Sequence, residues 1–225
     1  MTNFAFPPPA QSTVPVEVTD SVFPVRRILC VGRNYAAHAR EMGADQRDPP
    51  FFFAKPADAV VTQDKVPYPV ATHELHHEIE LVVALKSGGA NIQVEEAMGH
   101  VFGYAVGVDL TRRDLQAAAK AKSHPWDAAK GFDASAPISA IIPAERAKPD
   151  GAITLHVNGQ LRQSGQIADM IWTIPEIIAE ASKLWTLAAG DLIFTGTPEG
   201  VGPIGRGERV VGQVEGVGAL AFTVV

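Results

Sequence analysis

Residues 75–85 read LHHEIELVVAL, and this stretch limits the available folds more than any other. Strand side chains alternate between two faces with a period of two residues. Leu75, His77, Ile79, Leu81 and Val83 therefore share one face, and Glu74, His76, Glu78 and Glu80 share the other. The apolar face has to be buried, which requires a sheet with a packed side. The acidic face has two readings: a solvated sheet surface, or a row of carboxylates gathered for chemistry.

The spacing of the rest predicts a strand-dominated α+β chain. The opening strand runs from about Glu74 to Leu85 and stops at SGGA. Before it, VRRILCVG predicts a strand and NYAAHAREMG a helix, with Gly43 as its C-terminal stop. QRDPPFFFAKPADAV is rich in proline and reads as a packed loop, with Phe51, Phe52 and Phe53 serving packing. HVFGYAVGVDL predicts a strand ending at Asp109. It leads into a helix over TRRDLQAAAKAK, where Thr111 and Asp114 have capping-box spacing. HPWDAAKGFDASAP reads as loop, with Trp126 as a packing residue. AITLHVNGQLRQSG predicts a hairpin turning at Asn158-Gly159. TIPEIIAEASKLWTL predicts a helix that starts at Thr173 with Pro175 in its first turn. Further strands follow in GDLIFTGTPEG and GERVVGQVEGVGALAFTVV. Strands outnumber helices and do not alternate with them regularly, which argues against a doubly wound sheet. Five prolines within residues 1–24 suit an extended N-terminal arm, leaving 25–225 as a single catalytic domain.

Composition closes off several functions. With 46% hydrophobic and 20% charged residues, the 225-residue chain can bury a substantial core. A formal charge of −6 with no basic cluster argues against nucleic-acid binding. A lone cysteine, Cys30, excludes an internal disulfide. No run approaches the ~18 apolar residues of a membrane span, and the N-terminus lacks the pattern of a signal peptide, so a cytoplasmic location is expected.

Four constellations could carry chemistry. Gly200, Gly202 and Gly205 match G-x-G-x-x-G, but Pro203 interrupts the loop and a strand pattern follows where a dinucleotide site needs a helix. Tight turns are the better reading there. His38 and Glu41 lie three apart on a helix face, as a surface ion pair or as a carboxylate-oriented base for activating water. Glu78 and Glu80 on one strand face, with Asp109 at the end of another strand, could converge on a divalent ion such as Mg²⁺; a solvated acidic face is the rival. Lys130, Arg113, Gln116 and Thr197 are uninformative singly, although Arg113 and Gln116 share a helix face.

Six blocks occur together in a characteristic order: CVGRNYAAHAREM, LHHEIEL, VDLTRRDLQ, PWDAAKGFDASAP, VNGQLRQSG and TGTPEGVGP. From about Val25 to Pro203 the chain resembles the fumarylacetoacetate hydrolase family. It is most similar to the acylpyruvate hydrolase branch and the bacterial fumarylpyruvate hydrolases of gentisate catabolism. The resemblance implies a mixed β-roll with short flanking helices, a homodimer, and a Mg²⁺ ion, with Mn²⁺ possible. It puts the metal on Glu78, Glu80 and Asp109, and the catalytic dyad on His38 and Glu41. It makes Lys130 the catalytic lysine and Arg113, Gln116 and Thr197 substrate contacts. The activity implied is hydrolytic C–C cleavage of a small anionic 2,4-dioxo acid, giving fumarate and pyruvate when the acyl group is fumaryl. Oxaloacetate decarboxylation or isomerisation of a 2-hydroxy-diene-dioate, both within the family, is the alternative. A metal-binding protein without turnover is the distant one.

Overall fold

The computed structural model describes residues 3–35 and 48–225. The predicted helix over NYAAHAREMG falls largely outside them, as do Gly43, His38 and Glu41.

The centre of the molecule is a mixed six-stranded sheet. Its strands lie in the order Ile142–Pro143, Val101–Val108, Ile79–Leu85, Asp191–Phe194, Arg27–Gly32 and Phe51–Lys55. Asp191–Phe194 pairs parallel with Arg27–Gly32, and the other neighbours are antiparallel. A five-stranded sheet packs against it, ordered Gln160–Gln166, Ala152–Val157, Arg209–Val214, Gly218–Val224 and Lys65–Val66. Together they make the mixed β-roll.

Alternation along the strands splits the interior into two cores. Leu81, Val83 and Leu85 join Leu29, Val31, Leu155, Val210 and Phe222 in the larger, between the two sheets. Val82 and Ala84 join Ile28, Cys30, Leu192 and Phe194 in the smaller, behind the six-stranded sheet. That second core is closed by Val14 and Phe23. These lie on two short strands, Thr13–Pro15 and Val22–Pro24, that pair with each other within the proline-rich start of the chain. Every residue of Ile79–Leu85 is buried as a result. A solvated sheet face for the glutamates is therefore excluded: the strand has neighbours on both edges and apolar cover on both faces.

Several local expectations hold. The Asn158-Gly159 turn has φ of 50° and 79°, the left-handed pair that a two-residue hairpin turn requires. The helix Ile174–Leu184 starts after Thr173, whose capping box with Glu176 is formed.

Others need correction. The Glu74–Leu85 strand is not continuous. Leu75–His77 belongs to a three-stranded sheet with Thr111–Arg112 and Gly202–Pro203, and the chain changes sheets at Glu78. There the carbonyl of Glu78 accepts a hydrogen bond from Asp109 N at 2.8 Å. Phe51–Lys55 is an edge strand and not a loop, because the prolines at 49, 50 and 56 flank it without interrupting it. PWDAAKGF contains a single helical turn, Asp127–Lys130. Thr111 caps nothing: the helix Arg113–Ala121 begins after Arg112, and Thr111 Oγ1 donates to Asp109 O. Asp114 instead accepts from Thr72 Oγ1 at 2.6 Å and His73 N at 3.0 Å. The G-x-G-x-x-G segment precedes the strand Arg209–Val214, so it lacks the helix that a pyrophosphate needs.

Gly107 pairs with Glu80 across the sheet. A Cβ there would lie 2.6 Å from the Phe194 ring and 2.6 Å from a Val82 methyl. Gly107→Val is therefore expected to destabilise the protein by about 1–3 kcal/mol. Chemical denaturation checks this: the loss should be partly restored by adding Phe194→Leu, and no loss would show that the cores are looser than described.

Candidate metal centre and substrate cleft

Glu78, Glu80 and Asp109 each present a carboxylate oxygen, and these oxygens lie within 4.8 Å of one another. The fold explains the convergence. Glu78 sits at the sheet change, Glu80 one pleat further on, and Asp109 immediately after the neighbouring antiparallel strand Val101–Val108. All three are buried, at 7%, 2% and 0% exposure.

Two buried lysines neutralise part of this charge. Lys130 Nζ donates to Glu78 Oε2 at 2.7 Å, Asp109 Oδ2 at 2.6 Å and Thr111 Oγ1 at 2.6 Å. Burial works against its charge, yet Asp109 and Glu78 push its pKa above the ordinary lysine range, so it stays an ammonium. Lys55 Nζ lies 2.8 Å from Asp109 Oδ1 and donates to the carbonyls of Leu110, at 3.2 Å, and Lys130. Arg113 completes the set, pairing with Glu78 Oε1 and donating to Gln116 Oε1 at 2.6 Å. Burial opposes ionisation of Glu78, but Lys130 and Arg113 hold its carboxyl far below the usual range.

Glu80 is different. Among the described residues it accepts one hydrogen bond, from Gly196 N at 2.7 Å. Gly196 has φ of +98°, and a Cβ there would lie 2.7 Å from Asn34 Cβ, so only glycine serves. Burial, then the charges of Asp109 and Glu78, push the Glu80 carboxyl well above its ordinary value. Among the described residues Asp109 Oδ1 also receives no aligned hydrogen bond despite its ion pair with Lys55. Among the described residues Glu80 has no cationic side-chain partner, and a trio made wholly of oxygen donors with one such member suits a hard divalent cation.

The trio opens into a small cleft. Glu78, Glu80, Asp109, Lys130, Gln116 and Thr197 all line it, so six of the nine residues singled out by sequence meet here. Arg113 stands behind Glu78 and Gln116. His38 and Glu41 lie outside the described residues. Thr197 Oγ1 accepts from Gln163 Nε2 at 2.8 Å, which leaves its own proton for another acceptor. Gln163 Oε1 in turn accepts from Ile79 N at 3.0 Å and His77 Nδ1 at 2.8 Å.

Sequence reasoning passed over Lys55, Gln163, Arg33 and Lys120, and it assigned Phe51, Phe53 and Trp126 to packing. Those three aromatics do pack together, and they also line the cleft. Lys55 left one usable signal. A lysine that ends the apolar run FFFA is buried by its neighbours and has to find a carboxylate.

Mn²⁺ or Mg²⁺ at a hundred times its dissociation constant is expected to stabilise the folded chain by about 2.7 kcal/mol. For a chain of this size that is a rise in Tm of roughly 5–10 °C. Thermal melts with and without chelator check it. The shift should vanish in Glu80→Gln; a shift that survives there places the ion elsewhere.

Comparison with known proteins agrees with this geometry. A crystal structure of fumarylpyruvate hydrolase from Pseudomonas aeruginosa, in complex with Mn²⁺ and pyruvate, superposes with a TM-score of 0.96. It is 49% identical, with 99% of each chain covered. A mitochondrial oxaloacetate tautomerase of Mus musculus is 44% identical over 202 residues, covering 88% of this chain and 91% of the relative. A mitochondrial oxaloacetate decarboxylase of Dictyostelium discoideum is 41% identical over 196 residues, covering 85% and 90%. Residues 27–225 match the model of the fumarylacetoacetate (FAA) hydrolase C-terminal family, and the chain belongs to the fumarylacetoacetate hydrolase family.

Proposed function

We infer that the chain is a hydrolase that cleaves the C3–C4 bond of an acylpyruvate, a 2,4-dioxo acid. The observation that carries this reading is the full-length likeness to a fumarylpyruvate hydrolase that holds Mn²⁺ and pyruvate, taken with the buried carboxylate trio at the cleft. Glu78, Glu80 and Asp109 would hold Mg²⁺ or Mn²⁺, which supplies Lewis-acid polarisation of the substrate's C1 carboxylate and C2 carbonyl.

The protein's own groups do the rest. The Thr197 hydroxyl, with its oxygen occupied by Gln163, donates its proton to the substrate carboxylate. Gln116, whose carbonyl oxygen is fixed by Arg113, presents its amide nitrogen to the same group. Arg113 thus positions Gln116 and Glu78 and does not itself line the cleft. Lys130 stays charged and faces the position where the pyruvyl oxygen gains negative charge as the bond breaks. His38, oriented by Glu41, takes a proton from water as the water oxygen adds to C4. The C3–C4 bond then breaks with its electron pair on C3, and the proton held by His38 is returned there. The products are pyruvate and the free acid of the acyl group, fumarate when that group is fumaryl. A cytoplasmic homodimer completes the proposal.

A second reading has specific support. The curated relatives at 41–44% identity are an oxaloacetate decarboxylase and an oxaloacetate tautomerase. Oxaloacetate offers the same 2-oxo acid to the metal and the cleft, but its reactions need no attacking water.

Pyruvate release from fumarylpyruvate and acetylpyruvate with Mg²⁺ separates the two. Hydrolysis should fall by about 10²–10⁴-fold in His38→Ala, the usual worth of a positioned base. Lys130→Met should lower kcat and also cost about 3–5 kcal/mol of stability, since it takes a buried cation from Glu78 and Asp109; thermal melts with saturating metal separate the two losses. If oxaloacetate is turned over and neither acylpyruvate is cleaved, the tautomerase or decarboxylase reading replaces the hydrolase.

A further inference from the structure

The charges at the cleft are unevenly spent. Lys55, Lys130 and Arg113 are all committed to ion pairs with Asp109 or Glu78. Arg33 and Lys120 also line the cleft, and among the described residues neither has a carboxylate partner. Each rests on an aromatic ring instead. The Arg33 guanidinium stands 5.6 Å from the Phe51 ring centre, and Lys120 Nζ stands 5.0 Å from that of Trp126. Phe51 and Trp126 meet edge to face with centroids 5.5 Å apart. The four side chains therefore form one connected wall: cation, ring, ring, cation.

Two further features single out this wall. Arg33 is held at φ of +58°, a left-handed conformation that costs a residue with a Cβ some strain and tends to persist where function needs it. Partial burial, together with Arg113 and Arg33, lowers the Lys120 pKa against the opposing pull of Glu78, in keeping with positive charges crowded together here. A solvated surface pair would not be seated on rings inside the same cleft as the carboxylate trio.

We propose that Arg33 and Lys120 form a subsite for a second carboxylate, at the far end of the acyl group, so that the cleft selects dicarboxylic over monocarboxylic 2-oxo acids. This rests on the reading of the cleft as a 2-oxo acid site and adds which members of that class it prefers. The ion near Glu78, Glu80 and Asp109 takes the 2-oxo acid end. The rings of Phe51 and Trp126 give an apolar wall between the ion and the two cations, along which the acyl linker can lie. The distal carboxylate then reaches the two cations, whose positions the rings have already fixed, so little ordering is needed on binding. A chain ending in methyl would leave both cations without an anion and gain nothing from them.

Binding can test this without any turnover. 2-Oxoheptanedioate and 2-oxoheptanoate have equal chain length and differ only in the terminal carboxylate, and neither carries the 4-oxo group that hydrolysis needs. Calorimetric titration of the Mg²⁺-loaded protein is expected to give at least tenfold tighter binding of the diacid. Lys120→Met keeps an apolar stem on Trp126 and should remove most of that preference, Lys120→Glu should invert it, and monoacid affinity should move less than twofold. Arg33→Met is the second probe, with circular dichroism confirming the fold of each variant. Equal affinity for both acids in the wild type, no detectable binding of either, or parallel weakening of both in the variants would overturn the subsite. The outcome is separable from the hydrolase reading. Diacid preference without cleavage of fumarylpyruvate keeps the subsite and sinks the hydrolase; cleavage without preference does the reverse.

Discussion

Everything at the site depends on the contact of two buried lysines with buried acid. Lys130 and Lys55 meet Asp109 from opposite sides, and Lys130 also reaches Glu78. Removing one member of such a set leaves an uncompensated charge in the interior, at a cost of about 3–5 kcal/mol. The lysines come from different parts of the chain, an edge strand and a one-turn helix, so their charge pairing draws those segments onto the sheet. Neither lysine pairs with Glu80, whose hydrogen-bond donor among the described residues is the backbone of Gly196.

The two-core architecture supplies the rigidity this needs. A strand buried on both faces cannot slip by one residue without moving every apolar side chain into the wrong core. Glu80 is thus fixed by Leu81, Val82, Val83 and Ala84, which have nothing to do with chemistry. Gly107 and Gly196 allow the close approaches on either side. Gln163 reaches in from the hairpin of the second sheet to tie Ile79 N and Thr197 together.

Much of this was legible in the sequence, for identifiable reasons. Period-two alternation and turn chemistry located the strand from Ile79 and the Asn158-Gly159 hairpin, since both signals are local. The order of six motif blocks indicated the family and the convergence of Glu78, Glu80 and Asp109. What stayed hidden was non-local. The change of sheet at Glu78 depends on where Asp109 N arrives, which no window around Glu78 contains. Proline at 49, 50 and 56 masked an edge strand whose partner lies some twenty residues upstream. The apparent cap at Thr111 was misleading because its hydroxyl is occupied by Asp109 and Lys130, both outside the helix. Lys120 and Arg33 carried no local signal, since nothing in the spacing shows that Trp126 and Phe51 come to lie against them.

The change of sheet at Glu78 has a mechanical consequence. Glu78 and Glu80 are separated by one residue, yet one stands at the boundary of the three-stranded sheet and the other within the six-stranded sheet. An ion held by both carboxylates would therefore also link two sheets across their seam. The three-stranded sheet contains Gly202–Pro203, reached through the turn that follows Thr197, and Thr111–Arg112, which leads directly into the helix bearing Gln116 and Lys120. Short connections run from that seam to both walls of the cleft, so a metal held there would also bear on the width of the gap into which the substrate must fit.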